Sequence, residues 1–570
     1  MKRTLLLFFI CVNLFASLDV YGQMWEWAKG ARTRESEAYF GATDLYGNVY
    51  AAGNLWTGIN IDTAYIASLG YSRAFLIQFD SSGHMKWHRE ASGGITLPCG
   101  ITTDGNANAY FLGTYDSVVQ FGTHTLTSAP SHFFHYFLVK FDMMGNVKWL
   151  KGLGNEIGAG NDQGTNNITT DLNGSIYILG TFTNNPTIGG FSLTNAATDS
   201  TTDILLTKLD SSGNVIWAKS YGGKRFDVPS AIVVTKSKNI YIDGTYNSDT
   251  LSFGVNQLID TGAAYPHYYT GMFLAKLDSS GNPIWARGSG GGGLGDYFSG
   301  IASNSDEDVF VTGSYTGSAI TLDTQILPKP PAGSYGFLGK YDSSGNILWA
   351  KLMQGQHVMP WSVTVDRCDN LWIVSNMGSG NIQTSDTIDG HILAPIPGND
   401  NPNFIAGWTK SGTFIDAIAL PTGSTDDPNA ISADNYGNLY VVADNETLAT
   451  MILGHDTLTN TSSNENMFIA KYNPNFCNPI LDVPVNNTSQ TSILLYPNPA
   501  NNECTIRYDG NIILGTTMII YDMAGRLVLS CPLANNITTI PLTELNPGVY
   551  QCRIIAEGKD MVTKKLVVMR

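Results

Sequence analysis

The sequence predicts an all-β chain: a seven-bladed β-propeller followed by a small Ig-like β-sandwich. Three observations carry this expectation. A segment recurs every 60 to 68 residues over most of the chain. Each copy holds two turn motifs flanked by short apolar runs. After residue 492 the repeat stops and a different set of alternating runs and turns begins.

The first motif is Asp-Ser-Ser-Gly-Asn followed by a tryptophan, as in Leu209 to Trp217 and Leu277 to Trp285. Its tryptophans are Trp27, Trp87, Trp149, Trp217, Trp285 and Trp349, and a further copy near Lys410-Ser-Gly412 has lost its tryptophan. The second motif is Asp-x-x-Gly-Asn-x-Tyr, as in Asp44 to Tyr50, Asp104 to Tyr110 and Asp434 to Tyr440, with seven copies. Asp first and Gly fourth favour a tight turn, because Asp bonds to its own backbone and Gly accepts positive φ. Runs such as Ile176-Tyr-Ile-Leu179 beside these turns read as strands. Each repeat therefore holds two hairpins joined by a longer variable loop. Four strands repeated seven times describe a propeller over residues 23–472. The period exceeds the 40–50 residues of shorter propeller repeats, so the surplus belongs in inter-strand loops.

After the seventh third strand, near Met467, no fourth strand follows. Met24-Trp-Glu-Trp-Ala-Lys29 resembles the fourth-strand text Val215-Ile-Trp-Ala-Lys219, so the N-terminal strand is expected to complete the last blade and remove a sheet edge. An open stack of hairpin units is the alternative. The tryptophans hold one register in the fourth strand, which favours packing between blades over sugar stacking. These motifs resemble the bacterial β-propeller repeat family of large secreted proteins. That resemblance implies a fold and no single activity.

Residues 473–492 are rich in Pro, Asn, Thr and Ser and read as a linker. Residues 493–570 carry Tyr496-Pro497-Asn498-Pro499, then Tyr521-Asp522 with Gly525-Arg526, then Pro547-Gly548 with Tyr550, and finally Lys564-Lys565-Leu-Val-Val. In that order and at the chain end, these motifs resemble the C-terminal sorting domain of the type IX secretion system of Bacteroidota. The resemblance implies Sec-dependent export, recognition by the outer-membrane translocon, and a mature protein either attached to the surface or released. Residues 1–22 fit this route as a signal peptide. Lys2 and Arg3 precede a short apolar run, and small residues stand at Val20 and Gly22 before Gln23. That run is too short for a membrane span.

Composition narrows the function. Net charge is −16, and only 14% of residues are charged, against about 25% in ordinary domains. Almost all of the negative charge lies between residues 23 and 492. Such acidity excludes phosphate-neutralising contacts, so no nucleic acid is expected. Six cysteines remain after the signal peptide, none in a Cys-x-x-Cys pair, and their pairing stays open.

Motifs of catalysis are missing. The sequence has no His-Glu-x-x-His, no Gly-x-Ser-x-Gly and no phosphate loop. Calcium is the functional alternative for the repeated Asp-Ser-Ser-Gly turns. Yet one turn supplies one carboxylate, and calcium takes 6–8 oxygens. No catalytic, cofactor or metal residue is assigned. The expectation is an exported binding or structural module with an extracellular protein or glycan ligand. The alternative is a carbohydrate-active enzyme, glycosidase or lyase, built on a propeller with paired loop carboxylates.

Overall fold

In the computed structural model the repeated turns close antiparallel hairpins, and every described element is a β-strand. The structure describes residues 25–568 apart from 32–35, 63, 68–71, 129–133, 155–156, 159–166, 198–200, 260–270, 291–295, 317–318, 329–333, 354–357, 378–386, 390, 393–402, 421–427, 446–449, 460–465, 475–492, 497–499, 509–516, 523–526, 534, 536, 544, 547 and 557–558. The signal peptide and nearly all of the linker lie outside these residues. The chain divides into two units, residues 1–477 and 478–570.

In the first unit a four-strand antiparallel group recurs along the chain, and these groups are called sheets 1 to 7 in order; the first and last are joined into one eight-stranded sheet by the parallel bridge Ser36–Asn466, and two others carry extra strands. Sheet 1 is Ser36–Thr43, Val49–Leu55, Arg73–Phe79 and Met85–Glu90. Sheet 2 is Thr96–Thr103, Ala109–Tyr115, His135–Phe141 and Val147–Gly154. Sheet 3 is Ile168–Thr170, Ile176–Phe182, Asp203–Leu209 and Val215–Tyr221. Sheet 4 is Asp227–Val234, Ile240–Tyr246, Gly271–Leu277 and Pro283–Gly290. Sheet 5 is Tyr297–Ser303, Val309–Thr316, Ser334–Tyr341 and Ile347–Leu352. Sheet 6 is Val358–Val365, Leu371–Met377, Asn403–Trp408 and Phe414–Leu420. Sheet 7 takes Ala430–Ala433, Leu439–Asn445 and Asn466–Tyr472 from its own repeat. Its fourth strand is Trp25–Gly30, antiparallel to Asn466–Tyr472 with Ala28 opposite Ala470.

First strands pack on one another in sequence, and the first strand of sheet 7 packs on that of sheet 1. The apolar cores lie between successive sheets. One joins Phe75 and Ile77 of sheet 1 to Tyr440 and Ile469 of sheet 7; another joins Leu76 of sheet 1 to Phe111 and Phe137 of sheet 2. Second and third strands are buried nearly end to end, which is why they read as continuous apolar runs.

The outer turn explains the tryptophan. Its Gly takes positive φ, as at Gly145 (φ 76°), and a tryptophan from the preceding sheet lies against it. Trp27 packs on Gly83, Trp87 on Gly145, Trp149 on Gly213, Trp217 on Gly281, Trp285 on Gly345 and Trp349 on Gly412. Where the bond is described, the indole Nε1 donates to the second residue of the same turn. Trp27 donates to Ser81 O (3.0 Å), Trp87 to Met143 O (3.3 Å) and Trp285 to Ser343 O (3.2 Å). A third-strand lysine reaches the same carbonyl, as Lys276 Nζ does at 2.7 Å and Lys471 Nζ does on Ser81 at 3.1 Å. Sheet 6 carries Asp416 at the register of the tryptophan, opposite Gly407. Its neighbour, sheet 7, has no third-to-fourth turn to receive one, because its fourth strand comes from the N-terminus.

The connection between second and third strands, expected as a variable loop, holds a further two-stranded hairpin. Examples are Val118–Phe121 with His124–Thr127 and Thr250–Phe253 with Asn256–Ile259. Each turns on two residues whose first takes positive φ: Asp62, Gly122, Gly189, Gly254, Asp323, Asp389 and Gly454. These hairpins cover the outer strands. Asp456 accepts from Ala28 N at 2.8 Å, and Gln325 accepts from Ala350 N at 2.9 Å. Donors that would face solvent on an edge strand are thereby satisfied.

The second unit has two antiparallel sheets. Ile493–Tyr496, Glu503–Tyr508 and Ile537–Pro541 form one; Leu527–Pro532, Thr517–Asp522, Gly548–Ala556 and Lys559–Val568 form the other. Both contribute to one core that includes Ile506, Ile520, Leu566 and the buried Cys504 and Cys552. Cys368, in the first unit, is disulfide-bonded.

Candidate functional site at the mouth of the inner strands

The turn between first and second strands is built by three residues of its motif. Asp44 Oδ1 accepts the backbone N–H of Tyr46 (2.9 Å) and Asn48 (3.0 Å). Its Oδ2 accepts Asn48 Nδ2 (2.8 Å) and the Tyr50 hydroxyl (3.2 Å). Asp104 and Asp434 repeat the pattern, the latter with Tyr440 at 3.0 Å. Burial, and then the adjacent carboxylate, push the hydroxyls of Tyr50, Tyr110 and Tyr440 well above the ordinary phenol value. These tyrosines stay neutral donors, and the carboxylates have little capacity left for a ligand.

Around these turns opens a cavity of about 340 Å³, framed by sheets 7, 1, 2, 3 and 4. Its wall carries a threonine relay. Thr43 Oγ1 donates to Ala433 O (2.7 Å), Thr103 Oγ1 to Thr43 O (2.7 Å) and Thr170 Oγ1 to Thr103 O (2.6 Å). The relay ties neighbouring first strands where no full ladder joins them. Deeper, a cavity of about 140 Å³ is lined by first strands of sheets 1, 4, 5, 6 and 7, with Phe40, Trp361 and Ser299 among its walls.

The turns are not equivalent. Gly stands at the positive-φ position in sheets 1, 3 and 7 and Ala107 (φ 56°) in sheet 2, but Lys238 (φ 64°), Glu307 (φ 64°) and Asp369 (φ 63°) stand there in sheets 4, 5 and 6. A side chain in this region costs about 1 kcal/mol or more. Each of these three reaches back to the preceding turn. Lys238 Nζ lies 3.6 Å from Asp171 Oδ2. Asp369 accepts Ser305 N at 2.8 Å. Glu307 performs a substitution in trans. Turn four has Thr235 where turn five has Asn304 and the remaining five have Asp, and Glu307 accepts Ser237 N (2.8 Å) and Asn239 Nδ2 (3.3 Å), the groups that an Asp would have accepted. The acceptor that completes turn four thus stands one repeat away, where the spacing of the motif does not reveal it.

The other half of this face is bare. Tyr46 is 60% exposed, Tyr436 58% and Leu172 65%, and Leu45 is exposed as well. Tyr436 lies over Gly47, 3.2 Å from where a Cβ would stand.

In the second unit the sorting motifs converge. Asp522 pairs with Tyr550, which pairs with Leu566; Tyr521 pairs with Gln551, which pairs with Lys565. Lys564 faces Cys552, and Gly548 faces Val568, which also bridges Ala500 just after the Tyr-Pro-Asn-Pro text. Tyr496 ends its strand opposite Thr505. The Tyr550 hydroxyl donates to Asn546 O at 2.7 Å, and the Arg553 guanidinium lies 5.3 Å from the Tyr521 ring centre. Pro497, Asn498, Pro499, Gly525, Arg526 and Pro547 lie outside the described residues.

Residues 494–569 match the secretion system C-terminal sorting domain family. That domain marks the chain for type IX export to the cell surface or beyond. Among curated proteins the chain is similar to an uncharacterized WD repeat-containing protein of Acanthamoeba polyphaga mimivirus. Identity is 24% over 521 residues, covering 78% of this chain and 36% of that protein, so the chain spans about a third of its relative. Solved structures with some likeness include virginiamycin B lyase from Staphylococcus aureus, at TM-score 0.37 and 10% identity, covering 78% of this chain and 98% of that one. A polysaccharide lyase of the ulvan lyase type gives TM-score 0.31 and 9% identity, covering 72% and 92%. What those enzymes act on is a property of those proteins. No described helix is long and apolar enough to cross a membrane.

Proposed function

We propose that residues 23–472 form a closed seven-bladed propeller, that residues 493–570 form an Ig-like sorting sandwich after a 473–492 linker, and that the propeller is an extracellular binding module. The pairing of Trp25–Gly30 with Asn466–Tyr472 and the cyclic packing of first strands support the closed ring. The repeated tryptophans and Asp turns are assigned a structural role within it.

One observation carries the binding reading: the cavity of about 340 Å³ at the mouth, lined by exposed Leu45 and Leu172, with exposed Tyr46 and Tyr436 next in the chain to its lining residues Leu45 and Asn435. Its lining combines Thr and Asn groups with carboxylates already bonded within their turns. Such a surface offers flat apolar faces beside hydroxyl and amide groups. A neutral glycan segment suits it, since a sugar presents C–H faces and hydroxyls together. The enzymatic alternative requires a carboxylate pair open to a substrate, and Asp44 and Asp104 are engaged.

The test is retention of the full chain on immobilised extracellular glycans, compared with Tyr46→Ala and Tyr436→Ala variants. Binding weakened by roughly tenfold per ring supports the reading, as expected for loss of a stacked aromatic worth about 1.5 kcal/mol. Unchanged retention by both variants overturns the mouth as the site.

A further inference from the structure

Where sheet 3 hands over to sheet 4, two carboxyl groups lie beneath a pair of glycines. Asp203 opens the third strand of sheet 3, and Asp227 opens the first strand of sheet 4. Asp203 is 1% exposed and Asp227 is fully buried. Asp227 N donates to Thr202 O at 2.9 Å, which fixes the two residues side by side. Asp227 Oδ2 accepts Gly223 N (2.7 Å) and the Ser248 hydroxyl (2.9 Å), and Asp203 Oδ2 accepts Ala196 N (2.7 Å). The remaining oxygen of each, Oδ1, is sealed from solvent and has no hydrogen-bond partner.

The covering layer is thin. A Cβ on Gly222 would stand 2.2 Å from the Asp203 carboxyl, and one on Gly223 would stand 2.3 Å from Thr250 O. Gly222 is half-buried and Gly223 is buried against Thr250 and Ser248, so the backbone of the two glycines lies directly on the carboxyls. That backbone is tied to the neighbouring hairpin through Ser252 N to Gly222 O (3.1 Å). The charged groups nearby are occupied or turned outward. Arg225 pairs with Asp249 at 3.4 Å, and Lys224 is exposed. Tyr221 at the end of sheet 3 is buried near Asp278, and burial, then that charge, raise its hydroxyl. No cation lies within salt-bridge distance of Asp203 or Asp227 among the described residues.

Two ionised carboxylates in this position would meet uncompensated desolvation and mutual repulsion. We propose that burial keeps a proton on the Asp203–Asp227 pair, and that the protonated pair latches the Gly222–Gly223 backbone and its attached hairpin, which are released when the proton leaves. Burial raises Asp203 to about 6; burial and then the Asp203 charge raise Asp227 to about 7. The two titrate as a coupled unit. The folded state therefore holds the proton more tightly than the unfolded chain does. The latch is complete in acid and is lost as pH rises through about 6 to about 7. Water reaches the ionised pair by lifting the glycine layer, and the step transfers one proton to solvent with no other reactant.

Hydrogen exchange on the full chain tests this, read on peptides spanning 222–226 and 250–253 at about pH 5 and about pH 8 after correction for intrinsic rates. The expected result is exchange at least about tenfold faster at the higher pH in these peptides, with the sheet cores unchanged. Asp227→Asn supplies an amide donor that imitates the protonated pair, and it is expected to remove the pH dependence. Asp203→Asn is the reciprocal variant. Infrared spectra of the unsubstituted chain give a second readout: a protonated buried carboxyl band present in acid and gone at about pH 8. Equal corrected exchange at both pH values overturns the proposal. So does a pH dependence that survives in the Asn variants, or absence of the carboxyl band in acid.

Discussion

Replacing Gly145 by alanine tests the clasp between successive sheets. Gly145 has φ 76°, and a Cβ there would stand 2.5 Å from Trp87 Cδ2. The left-handed backbone alone costs about 1 kcal/mol for alanine. The indole must also retreat by about 1 Å to reach ordinary contact distance, and overpacking of this kind costs about 1–2 kcal/mol. Trp87 Nε1 would lose its 3.3 Å bond to Met143 O, about 1 kcal/mol more. The sum is about 3–4 kcal/mol. Gly122 is the control: its φ is 59°, and a Cβ there meets nothing within 4 Å. Its alanine variant should cost about 1 kcal/mol. Urea unfolding followed by circular dichroism reads both as midpoint shifts. In a Trp87→Ala background the Gly145 substitution should fall to the control's cost, a coupling of about 2–3 kcal/mol. Equal costs at the two glycines, or no coupling to Trp87, would refute the clasp.

Three further outcomes are expected. Removing Trp25–Gly30 bares the edge of Asn466–Tyr472, so the shortened chain should form concentration-dependent aggregates by light scattering while the intact chain does not. Glu307→Gln should destabilise the fold by about 1 kcal/mol, and adding Thr235→Asp should restore it, read as melting temperature, because the new Asp regains Ser237 N and Asn239 Nδ2 within its own turn. Burial opposes ionisation of Glu307, but its bonds to Ser237 and Asn239 outweigh that and hold it below the usual value, so the Glu307 contribution is present above about pH 4 and lost on acidification. A chain ending at Ser492 should stay in the periplasm of a type IX-competent host, while the full chain reaches the surface or medium, read by fractionation.

The repeat was legible because each motif residue has one local partner. Asp44 bonds Asn48 and Tyr50 within seven residues, so spacing alone reveals the unit. The tryptophan was legible as a register and not as a contact, since Trp87 meets Gly145 fifty-eight residues on. The missing tryptophan of sheet 6 reads as decay in sequence; in the fold it marks the one junction with no turn to receive it. The hairpins that cover the outer strands were missed because their turns alternate Gly and Asp at the positive-φ position, which hides the repeat from simple identity. Asp203 and Asp227 could not be paired from sequence, because what joins them is a backbone bond from Asp227 N to Thr202 O across two strands.

Regularity and irregularity fall in different places, and that division bears on where a ligand sits. The outer turns repeat one solution, tryptophan on glycine, around six junctions. They hold the sheets and leave little to vary. The inner turns diverge. In sheets 4 to 6 three side chains accept a left-handed backbone, and each is anchored on its neighbour's turn. A substitution costing about 1 kcal/mol that also ties adjacent turns stiffens that half of the mouth. In sheets 7, 1 and 3 the same position is Gly and in sheet 2 it is Ala107, so no side chain from that position reaches a neighbouring turn; the threonine relay and the Tyr440 hydroxyl on Gly47 O tie these turns, and Tyr436, Tyr46, Leu45 and Leu172 stand open. Were the face only a scaffold, clasps would be equally useful all round, and exposed tyrosines would be a liability. The half without clasps is therefore the half shaped for contact, and ligand footprints should map to sheets 7, 1, 2 and 3. A footprint over Glu307 and Asp369 instead would reverse this assignment of the two halves.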